Sequence, residues 1–128
     1  MSYLDTNYLV RYFTNDIPKL AEVAKKVIEK GKNLYIPQIV LAETVYILEN
    51  DYKSSKQEVC RVMLVILKQD NITTPKFSLQ AFDIYQKENI DFYDCLVIAE
   101  ALSSKGKLHT FDKKMMKVYK KYFTSSEA

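Results

Sequence analysis

Residues 33–50 read NLYIPQIVLAETVYILEN. Leu34, Tyr35 and Ile36 form a short strand-like run, and Pro37 closes it because proline has no N–H to give to a ladder. Positions 38–50 then run for more than three helical turns and are apolar on nearly every side, which predicts a buried helix. A short strand feeding a buried helix is half of a β-α-β unit. The rest of the chain repeats the pattern. Upstream, SYLD (2–5) is a brief apolar start, and IPKLAEVAKKVIEKGK (17–32) carries apolar residues at 17, 20, 23/24 and 27/28, a helical stripe with a glycine near its end.

Downstream, SSKQEVCRVMLVILKQD (54–70) predicts a helix with a capping-box start at Ser54 or Ser55. NITT (71–74) is a third strand before Pro75. SLQAFDIYQKEN (78–89) and DFYDCLVIAEALSSKGK (91–107) are two helices, the second ended by Gly106. LHTF (108–111) is read as a fourth strand and 112–123 as a last helix. Strands separated by helices require right-handed crossovers, hence a parallel sheet with helices on both faces. The expected fold is a three-layer α/β/α arrangement around four parallel strands, with a fifth left open. One domain over 1–123 is expected, and TSSEA (124–128) is expected to be a frayed tail.

The 128 residues are 48 % apolar with two glycines and three prolines, a composition that excludes a disordered chain. A net charge of +3 permits a nucleic-acid partner without requiring one. Cys60 and Cys95 stand far apart in apolar surroundings, as buried reduced thiols do. No signal pattern or membrane-length apolar run is present, so a cytoplasmic protein is expected.

In an open parallel sheet, ligands gather beyond the C-terminal ends of the strands. Asp5 and Asp112 follow strands at that edge, and Glu43 and Asp94 lie early in helices that leave it. Glu43 is flanked at helical spacing by Ile39, Val40, Tyr46 and Ile47. A carboxylate buried there unpaired costs several kcal/mol; the alternative is a glutamate that bends out to water. Asp94 stands three residues after Asp91, so capping alone would also explain it. Asp112 has the same alternative. Asp5 has no strong helix signal after it, which leaves a local Asx turn as its bland explanation. Together, like charges about 4 Å apart repel by roughly 4 kcal/mol per pair at an effective dielectric of 20. A divalent cation offsets that cost. All-oxygen donors select hard ions, hence Mg²⁺ or Mn²⁺ rather than Zn²⁺. Such an ion serves phosphate chemistry, and without a glycine-rich phosphate loop, phosphodiester hydrolysis fits best.

YLDTN (3–7), YIPQIVLAETVYIL (35–48), IDFYDCLVIAEA (90–101) and LHTFDKK (108–114) together resemble the acidic signature of PIN domains, and in particular the small VapC-type toxins of toxin–antitoxin pairs. The resemblance covers residues 1 to about 118. It implies a Mg²⁺- or Mn²⁺-dependent endoribonuclease in which Asp5, Glu43 and Asp94 match the three core acids and Asp112 the more variable fourth. Asn7 and Thr110 match polar positions that orient a carboxylate or water. The resemblance also implies a homodimer and a cognate antitoxin. The fifth strand of many relatives has little counterpart in KKYFTSSEA.

Lys113, Lys117 and Lys120 share a helical face beside Asp112 and are candidates for RNA phosphate contacts, against a simply solvated face. His109 is expected to face away from Thr110 and to be packed or solvent-facing rather than catalytic. Tyr93, between two acids, is the tyrosine to test for base stacking. Competing readings are a non-catalytic metal- or partner-binding module, a nuclease acting on DNA, and phosphoryl transfer. For the last, a haloacid-dehalogenase-like phosphatase would need DxD where this chain has DTN, and a receiver would need an adjacent acid pair and a late lysine.

Overall fold

Each strand of the sheet is two residues long, and the ladder between them is regular. In the computed structural model, which describes residues 1–127 and side chains through 124, β1 (Ser2–Tyr3), β2 (Leu34–Tyr35) and β3 (Ile72–Thr73) are parallel and ordered β1-β2-β3. Ser2 N–H donates to Asn33 O and Leu4 N–H to Tyr35 O. Leu34 N–H donates to Asn71 O and Ile36 N–H to Thr73 O, all at 2.9–3.0 Å. Tyr3 pairs with Tyr35 and Tyr35 with Thr73. The period of two then sends Leu4, Leu34, Ile36 and Ile72 into the core, while Tyr3 stays exposed with its ring edge-on to Tyr35.

The chain divides into two compact units, Met1–Pro75 and from Lys76 onward. The first holds the sheet with α1 (Thr6–Thr14), α2 (Pro18–Lys30), α3 (Gln38–Asn50) and α4 (Lys56–Leu67). Leu9, Ile28, Ile36, Leu41, Val59 and Met63 are fully buried there. Helix α4 starts with the expected capping box, at Ser55: its hydroxyl accepts from Glu58 N–H while Glu58 accepts from Ser55 N–H. Asn71 donates to both Ile28 O and Gly31 O, satisfying carbonyls at the end of α2. A Cβ on Gly31 would meet Val27 O, so only glycine fits that exit. Asp16 accepts from Tyr52, Thr14 and Arg11, chiefly the Tyr52 hydroxyl, and these bonds hold its carboxyl below the usual range. Arg11 thereby has a structural partner.

The second unit holds α5 (Ser78–Lys87), α6 (Phe92–Ser103) and α7 (Lys113–Glu127). Its core is aromatic: Phe82 and Phe92 lie 4.5 Å apart and Tyr85 meets Phe92 edge-on at 5.3 Å. Helix α6 ends at Ser103, and the left-handed position after it is Lys105 rather than Gly106. Of the expected tail, 124–128, residues 124–127 are the last of α7; the side chains of 125–127 and Ala128 lie outside the described residues.

The sequence predicts four strands and three form among the described residues. LHTF is irregular. Thr110 Oγ1 accepts from Asp112 N–H, a local bond that competes with a ladder, and Phe111 is fully exposed, which leaves Leu108 as the one apolar side chain of the segment turned partly inward. No fifth strand follows α7 among the described residues. Helix α3 also departs from expectation. It buries Val40, Leu41, Ala42, Thr44, Val45 and Leu48, but Ile39, Glu43 and Tyr46 form an exposed strip.

Candidate functional site

Asp5 ends the first strand and begins the first helix. Its side chain accepts from Tyr8 N–H at 3.2 Å, which makes it the N-cap of α1. That helix carries little signal in sequence, because it is only nine residues long and its buried apolar residues, Leu9 and Val10, are adjacent rather than spaced along a stripe. The cap employs one lone pair of a carboxylate that has about four acceptor sites, so the rest of the group stays free for a cation. Asp5 is exposed. The next residue, Thr6, donates its hydroxyl to Glu43 Oε1 at 3.2 Å.

Glu43 is exposed, not buried among apolar neighbours as the helical pattern predicted. The rotation of α3 explains this: Thr44, one residue on, is the polar side chain turned inward, and it satisfies its hydroxyl on Val40 O at 2.7 Å. Thr6 was missed by sequence reasoning. The signal was available once Asp5 is read as a cap, because the residue after a cap opens the helix beside whatever the strand end faces. Asn7 lines a concavity of about 240 Å³ with Tyr8, Arg11, Leu20, Val23 and Ala24.

In the second unit, Asp91 caps α6 by accepting from Asp94 N–H at 2.9 Å, as the spacing predicted. Asp94 is half-buried, and its carboxyl is pushed above the ordinary aspartate value, by burial first and then by the charges of Asp91 and Asp112. Asp112 caps α7 through Met115 N–H at 3.0 Å, while Thr110 holds the Asp112 backbone. Beside Asp112 lies a concavity of about 380 Å³ lined by Phe111, Lys113, Met116, Lys117 and Lys120, with Thr110 at its edge. His109 is exposed, outside any strand.

Asp5 and Glu43 are thus linked through Thr6 in the first unit, and Asp94 is coupled electrostatically to Asp112 in the second. Among the described residues, no group of three or more His, Cys, Asp or Glu is gathered so as to hold a metal ion. The donors at hand are carboxylate and hydroxyl oxygens, a set that fits a hard divalent cation and not zinc.

These features define a class. The chain belongs to the PIN domain family, a family of nucleases that generally use divalent metals, and the family profile matches residues 2–121. It is similar to the VapC ribonuclease of Aquifex aeolicus (strain VF5), with 29 % identity over 106 residues, covering 79 % of this chain and 78 % of that protein. No helix among the described residues is long and apolar enough to cross a membrane.

Proposed function

We infer that residues 1–123 act as one nuclease domain that hydrolyses RNA phosphodiesters with Mg²⁺ or Mn²⁺, as the toxin of a toxin–antitoxin pair. The observation that carries this reading is the pairing of Asp94 with Asp112. These two carboxylates come from the starts of different helices, close enough that the charge of Asp112 raises the proton affinity of Asp94. A carboxylate held above its ordinary pKa by burial and by specific charged neighbours is the kind of group found at functional sites.

Asp5, Glu43, Asp94 and Asp112 would hold the ion. When bound, it lowers the pKa of water and offsets charge on the phosphate. The chain's own residues prepare for that. Thr6 fixes the orientation of Glu43, and the Asp91 and Asp112 caps hold the first turns of α6 and α7. Thr110 holds the backbone of Asp112, and Lys113 and Lys117 supply positive charge for the phosphates on either side of the scissile bond. The RNA substrate rests on the likeness to the VapC ribonuclease; a cognate antitoxin and a homodimer rest on the family resemblance, and a cytoplasmic site of action on the two buried cysteines.

The test is cleavage of a mixed RNA, and of DNA of the same sequence, in Mg²⁺, Mn²⁺ and EDTA. Asp5→Asn and Asp94→Asn proteins, checked for folding by circular dichroism, are run alongside. The expected outcome is metal-dependent RNA cutting that falls at least a hundredfold in both variants. Wild-type protein that binds the ion yet cuts neither polymer is a binding module instead. Cutting that survives both substitutions places the chemistry elsewhere.

A further inference from the structure

Phe111 is the most exposed large apolar side chain described, with a relative accessibility of 107 %. Isolated apolar residues on a surface are ordinary and by themselves call for no function. Phe111 differs in its support and in its company. Thr110 and Asp112, on either side, are joined by a 3.0 Å hydrogen bond, and Asp112 is tied to the first turn of α7. The ring therefore stands on a fixed turn rather than on a loose loop tip. It lines the same concavity as Lys113, Lys117 and Lys120, which none of the ion pairs among the described residues engages. Lys121, one turn beyond Lys117 and not among the residues lining that concavity, is by contrast bound to Glu88 at 2.9 Å.

We propose that Phe111 is a stacking platform for an unpaired base of the RNA substrate, with Lys113, Lys117 and Lys120 tracking the phosphates along α7. This rests on the nuclease reading and narrows its substrate to single-stranded RNA. The helical rise sets the second and third lysines about 6 and about 10 Å along the axis from the first, a row that follows a backbone rather than a single anion. An aromatic ring beside a basic groove is the combination that holds single strands, because every base offers a face and every linkage a charge. A protein partner fits poorly, since lysine is depleted at the centre of protein interfaces. Duplex RNA fits poorly too, because its bases are already stacked and its deep groove is closed to side chains. Phe111 is a substrate-positioning residue here; it touches no reacting atom.

The sequence contains no tryptophan, so Phe111→Trp places a single indole at the platform. Binding is measured in the Asp94→Asn background with Mg²⁺, using fluorescein-labelled single-stranded RNA, the matching duplex, and a gel to check that the RNA stays intact. Indole quenching that saturates with the single strand but not with the duplex is the expected result. Phe111→Ala should weaken single-strand binding by roughly 5- to 100-fold while Phe111→Tyr retains it. Lys117→Ala and Lys120→Ala should each lower the slope of log affinity against log salt by about 0.7. Unquenched indole together with unchanged binding by Phe111→Ala overturns the platform and leaves the nuclease reading standing. Unchanged RNA binding with an altered sedimentation coefficient in Phe111→Ala assigns the ring to a contact with a second copy, which also overturns it. RNA that binds to no form of the protein removes the nuclease reading and this inference with it, and RNA that is cut by Asp94→Asn overturns the Asp94 site beside which the platform is placed.

Discussion

Replacing Asp5 by asparagine leaves an oxygen that can accept from Tyr8 N–H and removes the charge, whereas alanine removes both. Asparagine and aspartate are equally good caps, and loss of such a cap costs about 1 kcal/mol. Asp5→Asn is therefore expected to unfold in urea within about 0.5 kcal/mol of wild type, and Asp5→Ala about 1 kcal/mol below it. Both should lose RNA cleavage alike. Equal cleavage by Asp5→Asn and wild type would mean that Asp5 is a cap and nothing more. Thr6→Val tests the neighbouring contact: it keeps the side-chain shape and deletes the donor to Glu43. An exposed side-chain bond contributes about 1 kcal/mol or less to stability, so the urea midpoint should barely move while cleavage falls several-fold.

Elements follow the sequence where local chemistry and packing agree. Helices α4 and α6 begin at the caps their sequences announce, Ser55 and Asp91. The strand expected at LHTF fails because Thr110 and Asp112 bond locally and Phe111 faces solvent. Between α5 and α7, Glu88 accepts from Lys121 Nζ and from the Tyr122 hydroxyl, each at 2.9 Å. The Lys121 bond, aided by Tyr122, holds the Glu88 carboxyl below its ordinary value against the opposing effect of burial, and burial with Glu88 pushes Tyr122 up to about 12. A lowered folded pKa means that the fold binds the proton less well than the unfolded chain does. The stabilisation is thus complete above the usual glutamate range and is lost as pH falls through the lowered value. Glu88→Gln should melt below wild type at pH 7, by under about 1 kcal/mol since Lys121 is largely exposed. That difference should close in strong acid. A gap that is the same at pH 7 and pH 3 would assign the effect to shape rather than charge.

At the scale of the whole chain, the ionised form of Asp94 opposes the fold. Burial and the neighbouring aspartates raise the folded pKa of Asp94, so folded protein binds that proton more tightly than unfolded protein. Its contribution is most favourable below the ordinary aspartate value and declines as pH rises through the raised one. In EDTA, Asp94→Asn is expected to melt at or above wild type at pH 7, with the advantage gone near pH 3. Mg²⁺ should reverse the order. An ion at a hundred times its dissociation constant stabilises by about 2.7 kcal/mol, several degrees of melting temperature, and the variant should gain less. A wild-type melting curve unmoved by millimolar Mg²⁺ and Mn²⁺ would count against an ion site.

Read alone, the sequence determined the α/β class, the helices from residue 17 onward, and the identity of the acids and lysines worth testing. Periodicity and caps are local, and they survive in any tertiary setting that buries the apolar stripe. Tertiary structure alone decided three things. It turned Glu43 to solvent and Thr44 inward, because α3 is apolar on so many sides that its pattern cannot fix which strip is left uncovered. It made Asp5 a cap and brought Thr6 to Glu43 across 37 residues of sequence. It also left LHTF out of the sheet. Strand formation needs a partner's free edge and a face to bury, and four residues of sequence carry information about neither.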